Sequence, residues 1–325
     1  MSGTLMLMGL SGPDLTADEE RLAREIQPVG FLLEGVESGG VMAVRALGER
    51  LRRICGRQPV VAVADGVAGT LALADGGPEL PGAAELAAAG DARAIGTAGM
   101  LTGELLRLIG INLCLGPVLD LAEPGGAEGA WGSDPQRVID HAGQWNRWLR
   151  KRGVASCAGW FPAGTPVRCD EDADFLQLGP LLPYTALMPE LDAIRIGSGE
   201  MAGIEPGLPA TLAAGVVRRL LRDRLGFDHH CVISADLGTG EVARRFPPGV
   251  AARMALEAGC DVVVAGSGAA AEVFAALAEV PFPVRAEAWE RVERLRDRLH
   301  WPLPWSDEKW RDWLVKARDL TDRTR

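Results

Sequence analysis

Cys231-Val232-Ile233-Ser234-Ala235-Asp236-Leu237-Gly238 reads as a short buried β-strand ending in a polar, turn-prone tip. Seven further runs share its character: Leu5–Leu10, Val29–Leu33, Pro59–Ala64, Ile111–Leu119, Ala155–Phe161, Ala193–Gly197 and Asp261–Ala265. They are dense in Val, Ile, Leu and Ala rather than strictly alternating. Strands covered on both faces have that composition.

Longer amphipathic stretches separate the runs. Thr16-Ala17-Asp18-Glu19 opens the first with capping-box chemistry. Val41–Cys55, Ala84–Ile109, Asp134–Arg152, Leu212–Leu225 and Gly240–Ala258 carry apolar residues at helical spacing. Gly110, Gly153, Gly226 and Gly259 each follow one of them, where a left-handed C-cap favours glycine. Eight β–α repeats in succession predict a (β/α)8 barrel over residues 1–280, with a doubly wound open sheet as the alternative. The 325 residues accommodate one barrel of about 250 residues plus extras.

Beyond Val280 the pattern changes. Val284–Leu299 reads as one charged helix, His300–Trp305 as a Pro-broken connector, and Ser306-Asp307-Glu308 as the cap of a last helix. Trp310, Trp313, Leu314, Ala317 and Leu320 share one face of that helix. Residues 281–325 are therefore expected as a Trp-rich helical extension packed on the barrel. The alternative use of Trp310 and Trp313 is a homodimer or partner contact.

A formal net charge of -10 argues against nucleic acid and anionic membranes as partners. No run of about 18 apolar residues occurs, so no membrane span is expected. Met1–Gly12 lacks a basic n-region and a cleavage site, which points to a cytoplasmic protein. Cys55, Cys114, Cys157, Cys169, Cys231 and Cys260 form no C-x-x-C pair and read as buried reduced thiols. The four histidines, His141, His229, His230 and His300, have no zinc spacing, so no metal or other cofactor is expected.

Leu115-Gly116-Pro117-Val118-Leu119-Asp120, Gly132-Ser133-Asp134-Pro135, Leu182-Pro183-Tyr184, Leu208-Pro209-Ala210-Thr211 and Leu225-Gly226-Phe227-Asp228 carry a family resemblance. With them, Thr16 to Val273 resembles glycoside hydrolase family 3, particularly its bacterial β-N-acetylhexosaminidases. That resemblance implies a (β/α)8 barrel, an Asp nucleophile and an Asp-His acid/base dyad. It also implies where this chain departs. The family's Ser-Asp-Asp-Leu is Ser234-Ala235-Asp236-Leu237 here, so a methyl group stands for the nucleophile. Asp236, one residue on, should face the other side of the strand unless a bulge intervenes.

The remaining strand ends are altered too. The family's Asp-Gln-Glu-Gly-Gly-Arg becomes Asp65-Gly66-Val67-Ala68-Gly69-Thr70, keeping only the Asp. Its sugar-binding Arg is Gly129. Its Lys-His-Phe-Pro-Gly-His-Gly becomes Gly159-Trp160-Phe161-Pro162-Ala163-Gly164-Thr165. Its dyad aligns with Asp170-Glu171-Asp172, which has lost the His; the cluster with Asp174 also reads as a solvated acidic loop. The sixth-strand His is replaced within Gly197-Ser198-Gly199.

The expected site is therefore Asp65, Asp120, Trp160, Ser198 and Asp236 as ligand-binding groups, with Asp170 as a residual acid. Asp120 could instead brace loops, and Trp160 could fill the hole left by the lost polar cluster. The expectation is a catalytically inactive homologue that binds a sugar, a cell-wall fragment or a protein. One alternative is a hydrolase with a rearranged site; another is an interaction protein acting through the tail.

Overall fold

Every apolar run becomes a strand, and the strands close on themselves. In the computed structural model they are β1 (Thr4–Leu10), β2 (Pro28–Leu33), β3 (Val60–Ala64), β4 (Leu113–Leu115), β5 (Ala155–Phe161), β6 (Ala193–Ile196), β7 (Cys231–Asp236) and β8 (Val262–Gly266). All neighbours are parallel, and β1 pairs with β8. The structure describes residues 4–64, 66–122, 129–162, 179–201 and 203–324. Asp65, Cys169, Asp170, Glu171, Asp172 and Asp174 lie outside them.

The helices follow in chain order. After β1 comes α1 (Ala17–Ile26), and after β2, α2 (Gly40–Cys55). After β3 come α3 (Val67–Leu71), α4 (Ala83–Ala89) and α5 (Ala92–Ile109). After β4 comes α6 (Pro135–Lys151), after β5, α7 (Leu182–Leu187), and after β6 a π-helix, Gly215–Arg224. After β7 come α8 (Gly240–Arg245) and α9 (Pro248–Ala258), and after β8, α10 (Ala270–Glu279). The last two are α11 (Phe282–Arg296) and α12 (Asp307–Thr324).

Local chemistry sets these boundaries. Thr16 and Glu19 cap α1 reciprocally, at 3.2 Å and 2.9 Å. The Asp134 side chain accepts from Arg137 N, with Pro135 at the first turn of α6. Three expectations need correction. β4 is shorter than Ile111–Leu119, because Gly116-Pro117 interrupts the ladder; an isolated bridge, Val118 to Gly159, resumes it. The stretch Ala84–Ile109 is two helices, since Gly90 turns left-handed and Asp91 caps a new one. Gly240–Ala258 is broken before Pro248, which has no N–H to continue the first helix.

The amino end of the barrel is sealed by a repeated device. Asn112, Asp192 and Asp261 directly precede β4, β6 and β8. Each accepts the second N–H of the strand before: Val61 at 2.8 Å, Ser156 at 3.0 Å and Val232 at 2.8 Å. These buried acceptors satisfy donors at the ladder's staggered edge. Arg150 clasps Asp192 with two bonds of 2.9 Å, and Arg222 meets Asp261 at 2.8 Å. α11 lies across this end: Arg291 reaches Asp261, Arg294 reaches the His229 carbonyl, and just beyond the helix Arg298 reaches Asp192.

α12 packs on α5. Trp313 is buried and donates Nε1–H to the Leu101 carbonyl at 2.9 Å. Trp310 stacks on it at 5.2 Å and keeps partial exposure. Trp313 is thus occupied within its own chain, because an indole satisfies both its apolar ring and its N–H there. Among the described residues no helix is long and apolar enough to cross a membrane. The described cysteines, Cys55, Cys114, Cys157, Cys231 and Cys260, are all free and buried.

Candidate functional site

The carboxyl ends of the strands all face one mouth, where a parallel barrel places its chemistry. Asp120 follows β4, Trp160 belongs to the tip of β5, Ser198 follows β6, and Asp236 ends β7. The described expected residues therefore share one end of the barrel. Their surroundings differ sharply.

Ala235 is 2% exposed, and its N–H donates to Thr211 Oγ1 at 3.1 Å. Its neighbour Ser234 accepts from Val264 N at 3.0 Å and donates to the Ala235 carbonyl at 2.6 Å. The β7–β8 register shifts between Ile233 and Asp236: Ile233 pairs with Val262, and Asp236 with Val264. Three steps on β7 thus match two on β8. This irregularity departs from the simple alternation that would turn Asp236 away from the mouth. Asp236 is only partly buried, and both its oxygens serve its own turn. Oδ1 accepts from Gly238 N at 2.8 Å and Oδ2 from Thr239 Oγ1 at 2.9 Å.

Asp120 is used inside the fold. It is 2% exposed, and Oδ1 accepts from the Tyr184 hydroxyl at 2.7 Å and from Trp160 N at 3.2 Å. Burial, with the Asp120 charge beside it, pushes the Tyr184 hydroxyl well above its ordinary value, so it stays a donor. Phe161 meets the Tyr184 ring edge-on at 5.4 Å. The Asp120 carboxylate therefore braces the tip of β5 against α7. Ser198 is exposed.

Two residues that sequence reasoning passed over complete the mouth. Arg195 lies in the middle of β6, in register with Ile233 of β7 and two positions beyond the Ala193–Cys157 pair. It is 8% exposed, and its guanidinium carbon sits 4.1 Å from the centre of the Trp160 ring. One face of Trp160 is thus covered. Arg195 makes no hydrogen bond or ion pair to any described residue, and its Nε is sealed without a partner. Burial pulls its pKa down; the Asp236 and Glu34 charges oppose that. Glu34 directly follows β2. Its Oε2 leans over β1, 3.5 Å from where a side chain on Gly9 would begin. Burial, and then the Asp236 charge, raise its pKa, while Arg195 lowers it. The signal for Arg195 was present in the sequence, as a cation inside the apolar run Ala193–Gly197.

Beside the mouth lies a cavity of about 850 Å³, lined by Gly66, Thr70, Glu79, Thr102, Trp131 and Thr321 among others. Neither Ala235, Asp236 nor Arg195 borders it. Among the described residues no cluster of His, Cys, Asp and Glu could hold a metal ion.

A closed parallel barrel with polar residues gathered at its strand ends defines a protein of the (β/α)8 barrel class. The Glycosyl hydrolase family 3 N terminal domain matches residues 36–289. The chain belongs to glycoside hydrolase family 3 and is β-N-acetylhexosaminidase-like. A Beta-hexosaminidase of Alkalilimnicola ehrlichii is 28% identical over 279 residues, covering 80% of this chain and 79% of that one. A Beta-hexosaminidase of Thioalkalivibrio sulfidiphilus is 32% identical over 231 residues, covering 65% and 64%. Two solved structures share the fold. A family 3 β-N-acetylglucosaminidase from Paenibacillus superposes with a TM-score of 0.85 at 23% identity, over 99% of this chain and 68% of that one. A β-N-acetylhexosaminidase from Beutenbergia cavernae gives 0.77 at 24% identity, over 90% and 95%.

Proposed function

We propose that this chain is a non-hydrolysing member of its family that retains the barrel to bind a sugar or cell-wall fragment. The observation that carries this reading is Ala235. The resemblance aligns it with the nucleophile, and a methyl group cannot form a glycosyl-enzyme bond. The free, buried thiols support a reducing, cytoplasmic setting for it.

A second reading, a hydrolase with a rearranged site, has one feature in its favour. The register shift beside Ala235 lets Asp236 interact electrostatically with Glu34 and Arg195. Against it, both Asp236 oxygens accept hydrogen bonds from its own turn.

The deciding experiment is an assay with an aryl N-acetyl-β-glucosaminide. Release of the aryl group should not exceed background. Turnover within about 1–1000 per second, abolished by Asp236→Ala, would overturn the proposal in favour of the second reading.

A further inference from the structure

In a closed ring of eight strands, β2 and β6 stand four places apart and so face each other across the barrel. Glu34 follows the first and Arg195 belongs to the second. Each nevertheless feels the other's charge, and both feel Asp236. Glu34 Oε2 leans over Gly9 near the end of β1, and the Arg195 guanidinium lies over Trp160 at the tip of β5, so both head groups sit at the carboxyl end of the barrel.

The state of Arg195 is unusual for a buried cation. Of the five N–H donors of its guanidinium, the one on Nε is buried without an acceptor, which is costly. Stacking on Trp160 holds its plane but does not provide the missing acceptor. The Glu34 carboxylate is exposed, and no described side chain or backbone group donates a hydrogen bond to it. A donor set and an acceptor set thus sit at the same end of the barrel, on strands that stand opposite each other across it.

We propose that Arg195 and Glu34 are a donor–acceptor pair that grips a neutral sugar across the mouth, Arg195 donating to its ring substituents and Glu34 accepting from its hydroxyls. This rests on the sugar-binding reading above and names the groups and ligand class that serve it. They would supply polar contacts from strands other than those where the resemblance locates the lost Arg, Lys and His. The charge balance selects the class. Arg195 is one cation facing the carboxylates of Asp236 and Glu34, so a ligand with its own negative charge meets like charges and gains less. A neutral polyol offers each side what it lacks.

The test is calorimetric titration with N-acetylglucosamine and, separately, with glucuronic acid. Wild type, Arg195→Met, Arg195→Lys and Glu34→Gln are compared, with thermal melts as a folding control. Wild type should bind the neutral sugar and bind glucuronic acid more weakly. Arg195→Met and Glu34→Gln should each weaken binding of the neutral sugar roughly tenfold or more, as loss of a hydrogen bond to a charged group does. Arg195→Lys should fall between, since it keeps the charge and loses the planar fork. Glu34→Gln changes few atoms at an exposed position, so it decides the matter should Arg195→Met fail to fold. Undiminished binding by the folded variants, or tighter binding of glucuronic acid, would overturn the pair while leaving sugar binding intact. A wild-type protein that binds neither sugar would overturn both readings.

Discussion

Ala235 concentrates the question of catalysis at one side chain, but the surroundings make the loss more than one substitution deep. Ala235→Asp recreates the family's Ser-Asp-Asp-Leu. The new carboxylate would enter a site only 2% exposed and adjoin Asp236, and both burial and like charge oppose its ionisation. It would also lack the family's dyad His and the clamps that hold the ring, now Gly129, Gly159 and Trp160. The variant should form no covalent adduct with a 2-fluoro glycoside. A mass increase equal to the sugar, mapped to position 235, would show that one change had silenced a working pocket. Glu34 gives a second prediction. Its pKa is raised above 4.5 in the folded chain, mainly by burial. Folding then takes up protons between the ordinary and the folded value, so Glu34 withdraws stability as pH rises through that interval. Glu34→Gln should match wild type in melting temperature well below pH 4.5, gain on it as pH rises through the interval, and keep a constant lead beyond it. Equal melting at every pH would contradict the partly desolvated, charge-opposed carboxyl. Arg195 and Glu34 were hard to find from sequence because both lie outside the motifs that carry the resemblance. Their pairing joins residues 161 positions apart, and only barrel closure brings them together.

Elements were legible where one physical rule acts alone. Strands buried on both faces announce themselves as apolar runs, and all eight were readable as such. Helix ends written in side-chain chemistry, such as Thr16-Ala17-Asp18-Glu19 and Asp134-Pro135, were equally plain. Interruptions were not, because periodicity continues across them. Ala84–Ile109 keeps its apolar spacing through Gly90-Asp91, and Gly240–Ala258 through Pro247-Pro248, so the breakers had to outweigh the pattern. The site at the strand ends was legible in location, from the tips of the runs, but not in which carboxylates remain free. Asp120 reads as a ligand group and is spent on Tyr184 and Trp160. How closely elements pack was also invisible. α5 presents Gly96, Gly99 and Gly103 to α6, and a Cβ on Gly99 would overlap the Trp145 carbonyl oxygen. That atom is backbone and cannot rotate aside. Gly99→Ala should therefore force the helices apart and destabilise the fold by about 1–3 kcal/mol. A denaturation midpoint unchanged from wild type would mean that α5 and α6 separate without cost.

At the scale of the molecule, the two ends of the barrel have different tasks. The amino end is locked by Asn112, Asp192 and Asp261 and covered by α11, whereas the carboxyl end carries Arg195, Glu34 and Asp236. α12 belongs to neither end; it lies along the wall. Trp313 is buried there, Leu314 approaches Gly77, and Thr321 Oγ1 donates to the Glu79 carbonyl at 3.0 Å. Removing Ser306–Arg325 would uncover the face of α5 around Leu101 and strip away an indole that fills it. A buried Trp is worth about 3–5 kcal/mol on truncation to Ala, and with an unfolding entropy of about 2.1 cal/mol/K per residue each kcal/mol moves the melting point of a chain of 325 residues by about 1.5 °C. The truncated protein should melt lower by roughly 4–8 °C, the product of those two figures. Its mass in solution, measured by light scattering, should equal that of a monomer of the shorter chain if the full-length protein is monomeric. If it keeps its melting point and changes its assembly state, α12 is an assembly element and its burial on α5 contributes little. The single substitution Trp313→Ala separates the two roles, because it removes packing against α5 while leaving Trp310 and the exposed face of the helix in place.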